Sequence, residues 1–238
     1  MNQKGFALAI TMALLPFLLG LFLLLFAILG VNQFNLSTQQ ACREGGLRGQ
    51  QHVAPLLQQL LSLNPRALKL KLAELQAQAK LAAALSTGNL PAAAAARTEI
   101  ASIQLQRKVL DFKQKSLIQQ SNLFLLSAHQ RTASSLRVAR TQGLPTFNYL
   151  KIESRQHLTS APKLAVRPES SDIAPTYRTL ENFDSEQALA HSWQYQLRVR
   201  SPFQNFLMAD LKWTPSCAVT LKQDGFSWIP KIKKVKSW

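Results

Sequence analysis

The sequence predicts an α+β fold with an N-terminal transmembrane helix, a long antiparallel helical hairpin and a small C-terminal antiparallel sheet. Three observations predict it: an uncharged apolar run at the N-terminus, two long segments with heptad-like apolar spacing, and a final third in which short stretches of alternating polarity are separated by prolines. The 238 residues therefore divide into a leader and transmembrane helix (1–31), a helical stalk and hairpin (32–143), and a small mixed, mainly β domain (144–238).

The first element is the run from Phe6 to Val31, which contains no charged residue over 26 positions. At about 1.5 Å per residue a helix of this length spans about 39 Å, more than the hydrocarbon core of about 30 Å. The alternative is a cleaved secretory signal peptide, whose apolar region is about 7–15 residues long and ends in a small-x-small site. The run is longer than that and continues into Asn32 and Gln33 without such a site, so we expect a transmembrane helix.

The helical stalk begins with a polar segment, Asn32–Gly49, in which Gly45, Gly46 and Gly49 are expected to loosen the continuing helix. His52–Leu63 is rich in Leu and Gln, and Asn64-Pro65 is a turn signal that starts the next helix. That helix carries an apolar stripe with 4-3-4-3 spacing, and Ser86–Pro91 forms the following loop. The stripe consists of Leu68, Leu72, Leu75, Ala79 and Ala82.

The second arm of the hairpin is predicted to be one helix of about fifty residues, Ala92–Gln142, because neither Pro nor Gly interrupts it. Two sets of apolar residues mark its faces: Leu105, Val109, Phe112, Leu123 and Leu126 in one, and Ile103, Leu110, Leu117 and Phe124, seven residues apart, in the other. Such stripes form either the hydrophobic core or an oligomer seam. The polar face carries many Lys and Arg residues, which form either a basic binding surface or a solvated face.

The C-terminal part contains seven of the eleven prolines and every Trp and Tyr of the chain. Strands are predicted at Phe147–Ile152, Trp193–Val199 and Ala218–Lys222, because these segments alternate in polarity. Asp224-Gly225 is a hairpin signal that joins the last of them to Phe226–Ile229. Ser160–Thr176 holds three prolines and is predicted to be an irregular connection.

The composition excludes several classes of protein. Lys and Arg total 28 against 12 Asp and Glu, a net charge of +16 that suits anionic lipid or nucleic acid. The sequence contains no phosphate-binding loop, zinc-protease, C-x-x-C or G-x-S-x-G motif, and its four histidines lack metal-ligand spacing. We therefore predict a non-enzymatic protein without catalytic residues, bound metal or cofactor.

The two cysteines and the basic C-terminus are the remaining candidate sites. Cys42 and Cys217 would form a disulfide between the stalk and the sheet in an oxidising compartment, or remain two free thiols. The C-terminal tail would contact anionic lipid or nucleic acid, or alternatively form an edge strand protected by its lysines. Its four lysines are Lys231, Lys233, Lys234 and Lys236.

The N-terminus, Met1-Asn2-Gln3-Lys4-Gly5-Phe6-Ala7-Leu8, resembles the start of type IV pilin-like precursors. The resemblance implies processing after Gly5, which would leave Phe6 as the new N-terminus. Major pilins carry a Glu five residues into the mature chain, whereas Ile10 occupies that position here. Some minor, tip-located subunits of these filaments also lack that Glu.

The helix is also similar to the opening of Tad (Flp) pilus-assembly proteins, because Leu15-Pro16-Phe17-Leu18-Leu19-Gly20 matches their Leu-Pro-x-Leu-Leu-Gly core. Both resemblances cover only residues 1–50. They imply a single-pass subunit of a pilus or secretion-type assembly in the bacterial inner membrane, with a periplasmic C-terminal domain. The expected partners are the lipid bilayer, other membrane or pilus-assembly subunits and further copies of the chain.

The alternative function is a cytoplasm-facing membrane tether that binds anionic lipid or nucleic acid through its basic surface. The positive charges flanking the apolar run are nearly balanced, so they do not fix its orientation. We expect the outward orientation, in which nucleic acid is not a partner.

Overall fold

The computed structural model describes residues 3–142, 150–157, 160–199, 211–225 and 227–233. Three helices make up the first part: α1 (Gln3–Ser62), α2 (Asn64–Ser86) and α3 (Leu90–Gln142). Seven strands and one short helix follow: β1 (Leu150–His157), β2 (Val166–Pro168), β3 (Tyr177–Thr179), α4 (Phe183–Glu186), β4 (Leu189–Val199), β5 (Leu211–Trp213), β6 (Ser216–Asp224) and β7 (Ser227–Lys233). The predicted mixture of a long helical hairpin with a small antiparallel sheet is confirmed.

Helix α1 runs without interruption through the three glycines, so the expectation that they loosen it is wrong. Each glycine lies where a neighbouring element comes close. A Cβ on Gly46 would lie 2.7 Å from Cγ2 of Val219, and one on Gly45 would lie 2.6 Å from Oγ1 of Thr132. The stabilisation from this tertiary packing exceeds the destabilisation that the low helix propensity of glycine causes.

The predicted turn at Asn64-Pro65 is a one-residue break at Leu63 between α1 and α2. Pro65 occupies the start of α2, where its missing N–H removes no helical hydrogen bond. The Asn64 side chain donates to the carbonyl of Tyr177 at 2.7 Å and accepts from its N–H at 2.9 Å. The break is therefore attached to β3.

Helix α3 packs antiparallel to both the second half of α1 and the whole of α2. The contacts run in opposite directions along the two arms: Lys80 pairs with Glu99, Glu74 with Arg107, and Gly45 approaches Thr132. Between α2 and α3, Gly88 adopts a φ of +68°, and the Asn89 side chain accepts the N–H of Ala92 at the start of α3. The first arm is longer than predicted, because the second half of α1 continues it beyond α2.

The apolar stripe of α2, which the sequence assigned either to the hydrophobic core or to an oligomer seam, lies on the outer side of the hairpin. Leu68, Leu72 and Leu75 are 51–53% exposed. The buried residues of α2 are Ala67, Glu74, Ala77 and Ala84. Small alanines allow the two helices to approach closely, so the larger leucines are excluded from the contact.

The two apolar sets of α3 also differ in burial. Ile103, Leu110 and Leu117 are buried, as a heptad core position requires, whereas Phe124 of the same set is 42% exposed. All five members of the other set are exposed: Leu105, Val109, Phe112, Leu123 and Leu126. One face of α3 therefore forms the core, and the opposite face has no covering element among the described residues.

The sheet has the strand order β1-β4-β6-β7, with β5 pairing with β4, and all of its pairs are antiparallel. The predicted hairpin at Asp224-Gly225 joins β6 to β7, with Gly225 at a φ of +57°. The predicted strand Trp193–Val199 is the second half of β4, and Trp193 and Tyr195 are buried as the alternation predicts.

Two strand expectations need correction. Strand β1 extends to His157, further than predicted, while residues 147–149 of the prediction lie outside the described residues. The connection expected to be irregular contains β2, which pairs with β3 in a separate two-stranded sheet. Pro168 ends β2 at an edge, where a residue without an N–H is tolerated.

The main hydrophobic core lies where the second half of α1 packs on α3 and the sheet, and it includes Val53, Leu57, Leu60, Leu125 and Leu189. Two smaller clusters lie on either side of it, one around Cys42 and Cys217 and one around Ala67 and Leu110. Over the residues that the structure describes, no helix has the length and mean hydropathy required to cross a membrane.

Candidate functional site

The two cysteines lie at the junction between α1 and the sheet. Cys42 and Cys217 are joined by a disulfide with their Cα atoms 6.4 Å apart, although 175 positions separate them in the sequence. Both side chains are buried, 1% and 3% exposed. The junction therefore fixes β6 to the part of α1 that follows the apolar run.

Aromatic residues surround the disulfide. The cluster comprises Phe34, Leu136, Trp193 and Tyr195 together with the two cysteines. The rings of Phe34 and Tyr195 meet edge to face with centroids 6.0 Å apart. This arrangement is favourable for aromatic pairs, and it excludes water from the junction.

A pair of buried glutamines links the same elements further along α1. Nε2 of Gln50 donates to the carbonyl of Gln187 at 2.9 Å and to that of Val219 at 3.3 Å. Oε1 of Gln187 in turn accepts the N–H of Ala165 at 3.0 Å. Both side chains have no exposed surface, so these bonds satisfy polar groups that water cannot reach.

Two histidines stack between α3 and β4. The rings of His129 and His191 are 4.7 Å apart at an interplanar angle of 17°. Burial, together with the neighbouring His129, lowers the pKa of His191 to about 4, so its imidazole is neutral at physiological pH. Among the described residues, no group of three or more His, Cys, Asp or Glu side chains could hold a metal ion.

Ion pairs fix the hairpin and its contact with the loop before β3. Glu74 and Arg107 pair between α2 and α3 with side chains only 11–12% exposed, and Arg107 also donates to the carbonyl of Ile173 at 2.6 Å. Burial raises the pKa of Glu74, but hydrogen bonds from Arg107 and Gln104 outweigh it and lower the value overall. Lys71 holds Asp172 of the same loop at 2.7 Å.

All three carboxylates of the hairpin segment 64–118 have an intramolecular partner: Glu74 pairs with Arg107, Glu99 with Lys80 and Asp111 with Lys115. Several basic residues of the same segment are exposed and have no ion pair among the described residues. They are Arg66, Lys69, Arg97, Lys108 and Lys113. The surface of the hairpin is therefore basic without local compensation.

The other predicted site residues are less informative. Gly5 and Phe6 lie in the first turns of α1. Lys231 is exposed on β7, and Nζ of Lys233 donates to Oγ of Ser185 at 2.8 Å, whereas Lys234 and Lys236 lie outside the described residues. The alternative of a lysine-protected strand therefore agrees with β7 as far as Lys233.

The described surface has two notable grooves. One, of about 330 Å³, lies along α3 beside Lys115, Ile118, Asn122, Leu123 and Leu126. The other, of about 620 Å³, lies between α2 and α3 beside Arg66, Lys69, Glu99 and Ile103. Both are open, and neither is lined by a His, Cys or paired carboxylates that could act in acid–base or nucleophilic catalysis.

Sequence reasoning singled out the cysteines but missed the buried glutamine pair, the histidine stack and the outward direction of the leucine stripes. A buried Gln has no sequence signature in a segment with many exposed glutamines. Comparison of the chain with protein-family models, with curated proteins and with solved structures finds no match.

Proposed function

We propose that the protein is a non-enzymatic, single-pass membrane subunit of a pilus or secretion-type assembly. The N-terminal part of α1 would lie in the bacterial inner membrane, and residues 32–238 would face the periplasm and contact other subunits. The proposal combines the uncharged run Phe6–Val31, its resemblance to pilin-like and Tad (Flp) segments, and the structure of the junction that follows it.

The observation that carries the proposal is a change in burial along α1 at the end of the uncharged run. The described large apolar side chains from Met12 to Leu29 are exposed; Phe22, for example, is 73% and Phe26 68% exposed. Among the side chains of α1 that the structure describes, Val31 and Phe34 are the first buried ones, and each is 8% exposed. The folded domain thus begins where the uncharged run ends, and the exposed apolar surface of the helix before it supports insertion into a lipid bilayer.

The disulfide supports the outward orientation. Disulfides persist in the periplasm and other oxidising compartments, and they are rare in the reducing cytoplasm. Cys42 lies only eleven positions after Val31, so a periplasmic disulfide fixes the side of the membrane on which α1 emerges. The continuous helix then connects the bilayer directly to the core of the domain.

Topology mapping in intact spheroplasts tests the proposal. Protease added from outside should digest the domain after residue 31 while leaving a cytoplasmic marker protein intact. Alkylation of non-reduced protein should leave Cys42 and Cys217 unmodified. A domain that stays protected until the spheroplasts are lysed, with both thiols alkylated, contradicts the proposal.

Mass spectrometry of the mature chain separates the two resemblances. Pilin-like processing predicts that the wild-type chain begins at Phe6. It also predicts that a Gly5→Leu variant, which lacks the processing site, still begins at Met1. A wild-type chain that begins at Met1 leaves the Tad-like anchor or a generic one.

The basic surface of the hairpin favours the second candidate, a cytoplasm-facing tether. The five exposed cations that have no ion pair within the described part of the chain would bind anionic lipid or nucleic acid. The topology experiment distinguishes the two functions, because only the tether places the domain in the cytoplasm.

A further inference from the structure

The outer face of α3 carries a regular seam that no element among the described residues covers. Seven positions follow one another at spacings of 4, 3, 4, 3, 4 and 3 residues over about 32 Å of helix: Leu105, Val109, Phe112, Ser116, Gln119, Leu123 and Leu126. The five apolar members are 40–75% exposed, and Phe112 is the most exposed of them.

This outer seam is separate from the core of the hairpin. The residues that α3 buries lie on the other side of the helix and include Ile103, Leu110, Gln114 and Leu117. Spacing of 3.5 residues on average is the pattern by which a helix packs along a second helix in a coiled coil.

The residues flanking the seam specify the charge of the partner. In a coiled coil the two positions beside the seam contact the flanks of the facing helix and determine partner choice. Here those positions hold three lysines and otherwise neutral residues: Gln106, Lys108, Lys113, Lys115, Gln120 and Asn122. Lys115 pairs with Asp111 at 2.7 Å, whereas Lys108 and Lys113 are exposed and have no ion pair among the described residues.

The same charges disfavour a second copy of the chain in parallel orientation as the occupant. A parallel dimer through this seam would place Lys108 of one helix beside Lys113 of the other, because these two positions face each other across a parallel coiled coil. The carboxylates of the hairpin cannot compensate, since each is held in an intramolecular pair. A facing helix with Glu or Asp at its flanks would instead pair with both lysines.

We propose that the outer seam of α3 is a docking surface for an acidic amphipathic helix of a partner subunit. The inference rests on the proposed function in one respect, because it names the chemistry of a partner that the extracytoplasmic domain would contact. Ser116 and Gln119 interrupt the apolar positions at the centre of the seam. The partner helix would place polar residues opposite Ser116 and Gln119, and this pairing would set its register along α3.

Binding of two synthetic helices to the full-length protein in detergent tests the proposal. Both peptides carry Leu at their seam positions and a polar pair at the centre; one has Glu at all flanking positions and the other has Lys. Fluorescence anisotropy should show at least about tenfold tighter binding of the Glu peptide, and its affinity should fall as the salt concentration rises.

Variants locate the binding and control for folding. Phe112→Ser should weaken binding of the Glu peptide by about tenfold, because it removes the most exposed apolar contact of the seam. Lys108→Glu combined with Lys113→Glu should reverse the preference toward the Lys peptide. Leu72→Ser, on the outer face of α2, is the matched control with 51% exposure, and it should leave both affinities unchanged. Circular dichroism checks that each variant is folded.

Three outcomes would overturn the docking surface: equal binding of the two peptides, binding that Leu72→Ser and Phe112→Ser weaken alike, or a Phe112-dependent dimer of the protein alone in analytical ultracentrifugation. The last outcome would assign the seam to a second copy. Failure of the peptide-binding experiment does not change the result of topology mapping. If topology mapping instead places the domain in the cytoplasm and the protein still prefers the Glu peptide, the docking surface stands and its partner is a cytoplasmic helix.

Discussion

Gly46 of α1 and Val219 of β6 lie so close that a Cβ on the glycine would be 2.7 Å from Cγ2 and 3.0 Å from Cβ of the valine. The sheet packs on α1 through this contact, and the disulfide between Cys42 and Cys217 lies one helical turn before it. The absence of a side chain at position 46 therefore decides how closely α1 and the sheet approach each other.

Gly46→Ala should destabilise the domain by about 1–3 kcal/mol, because the added methyl group meets Val219 in a packed interface. The gain in helix propensity of about 1 kcal/mol offsets part of this effect. Chemical unfolding followed by circular dichroism measures it. Gly20→Ala is the control, since nothing lies within 4 Å of its Cβ position. If both variants prove equally stable, the close packing at Gly46 is not a determinant of stability.

Removal of the disulfide by Cys42→Ser with Cys217→Ser should lower the free energy of unfolding by about 2–5 kcal/mol. The reason is the long loop that the bond closes, with 175 positions between the cysteines. Urea unfolding of the oxidised wild type, the reduced wild type and the double variant gives the comparison. Reduced wild type and variant should coincide; a wild type that reductant does not weaken would contradict the prediction.

Gln50→Leu should destabilise the protein by about 1–3 kcal/mol, although leucine has a similar volume. The substitution leaves the buried carbonyls of Gln187 and Val219 without the donor that Gln50 provides. Thermal unfolding should show the loss, whereas Gln51→Leu, one position further on the exposed side of α1, should change stability little. Equal effects of the two substitutions would mean that the buried hydrogen bonds contribute no specific stability.

Replacing only one partner of the Glu74–Arg107 pair should destabilise the hairpin by about 3 kcal/mol, because the charge of the other partner stays largely buried. Arg107→Met also removes the donor to the carbonyl of Ile173. Replacing both partners with leucine should restore part of the loss. Lys80→Met at the exposed Lys80–Glu99 pair is the control and should change stability by less than about 1 kcal/mol. A double-mutant cycle measured by urea unfolding gives the coupling energy between Glu74 and Arg107. Additive effects of the two substitutions would mean that the pair contributes no coupling energy.

The pH dependence of stability should report on His191, whose pKa burial and His129 lower from 6.5 to about 4. The unfolded chain then binds a proton that the folded protein does not, so stability is complete above pH 6.5 and falls as the pH decreases toward 4. The contribution reaches up to about 3 kcal/mol at pH 4. Unfolding midpoints between pH 4 and 7.5 should show a shallower decline for His191→Gln, while the exposed His52→Gln should follow the wild type.

Sequence patterns identified the elements whose evidence is local. The long helices, the break at Asn64-Pro65, the loop before Leu90 and the hairpin at Gly225 all follow from backbone preferences of Pro, Gly and Asn, or from apolar periodicity. Periodicity also separated two faces of α3. It could not identify the inner face, because the heptad sets through Leu110 and Phe112 are equally apolar in sequence.

What the sequence by itself determined, then, is the succession of α2, α3 and the strands β1, β4, β6 and β7, together with the uncharged N-terminal run and the basic charge. Only the tertiary structure decided which faces are buried. Helices α2 and α3 approach closely through alanines, so Leu68, Leu72 and Leu75 lie outside the contact. The glycines of α1 allow α3 and the sheet to pack closely against that helix, and they do not interrupt it. These outcomes depend on distances between elements far apart in the chain, which local preference and periodicity do not contain.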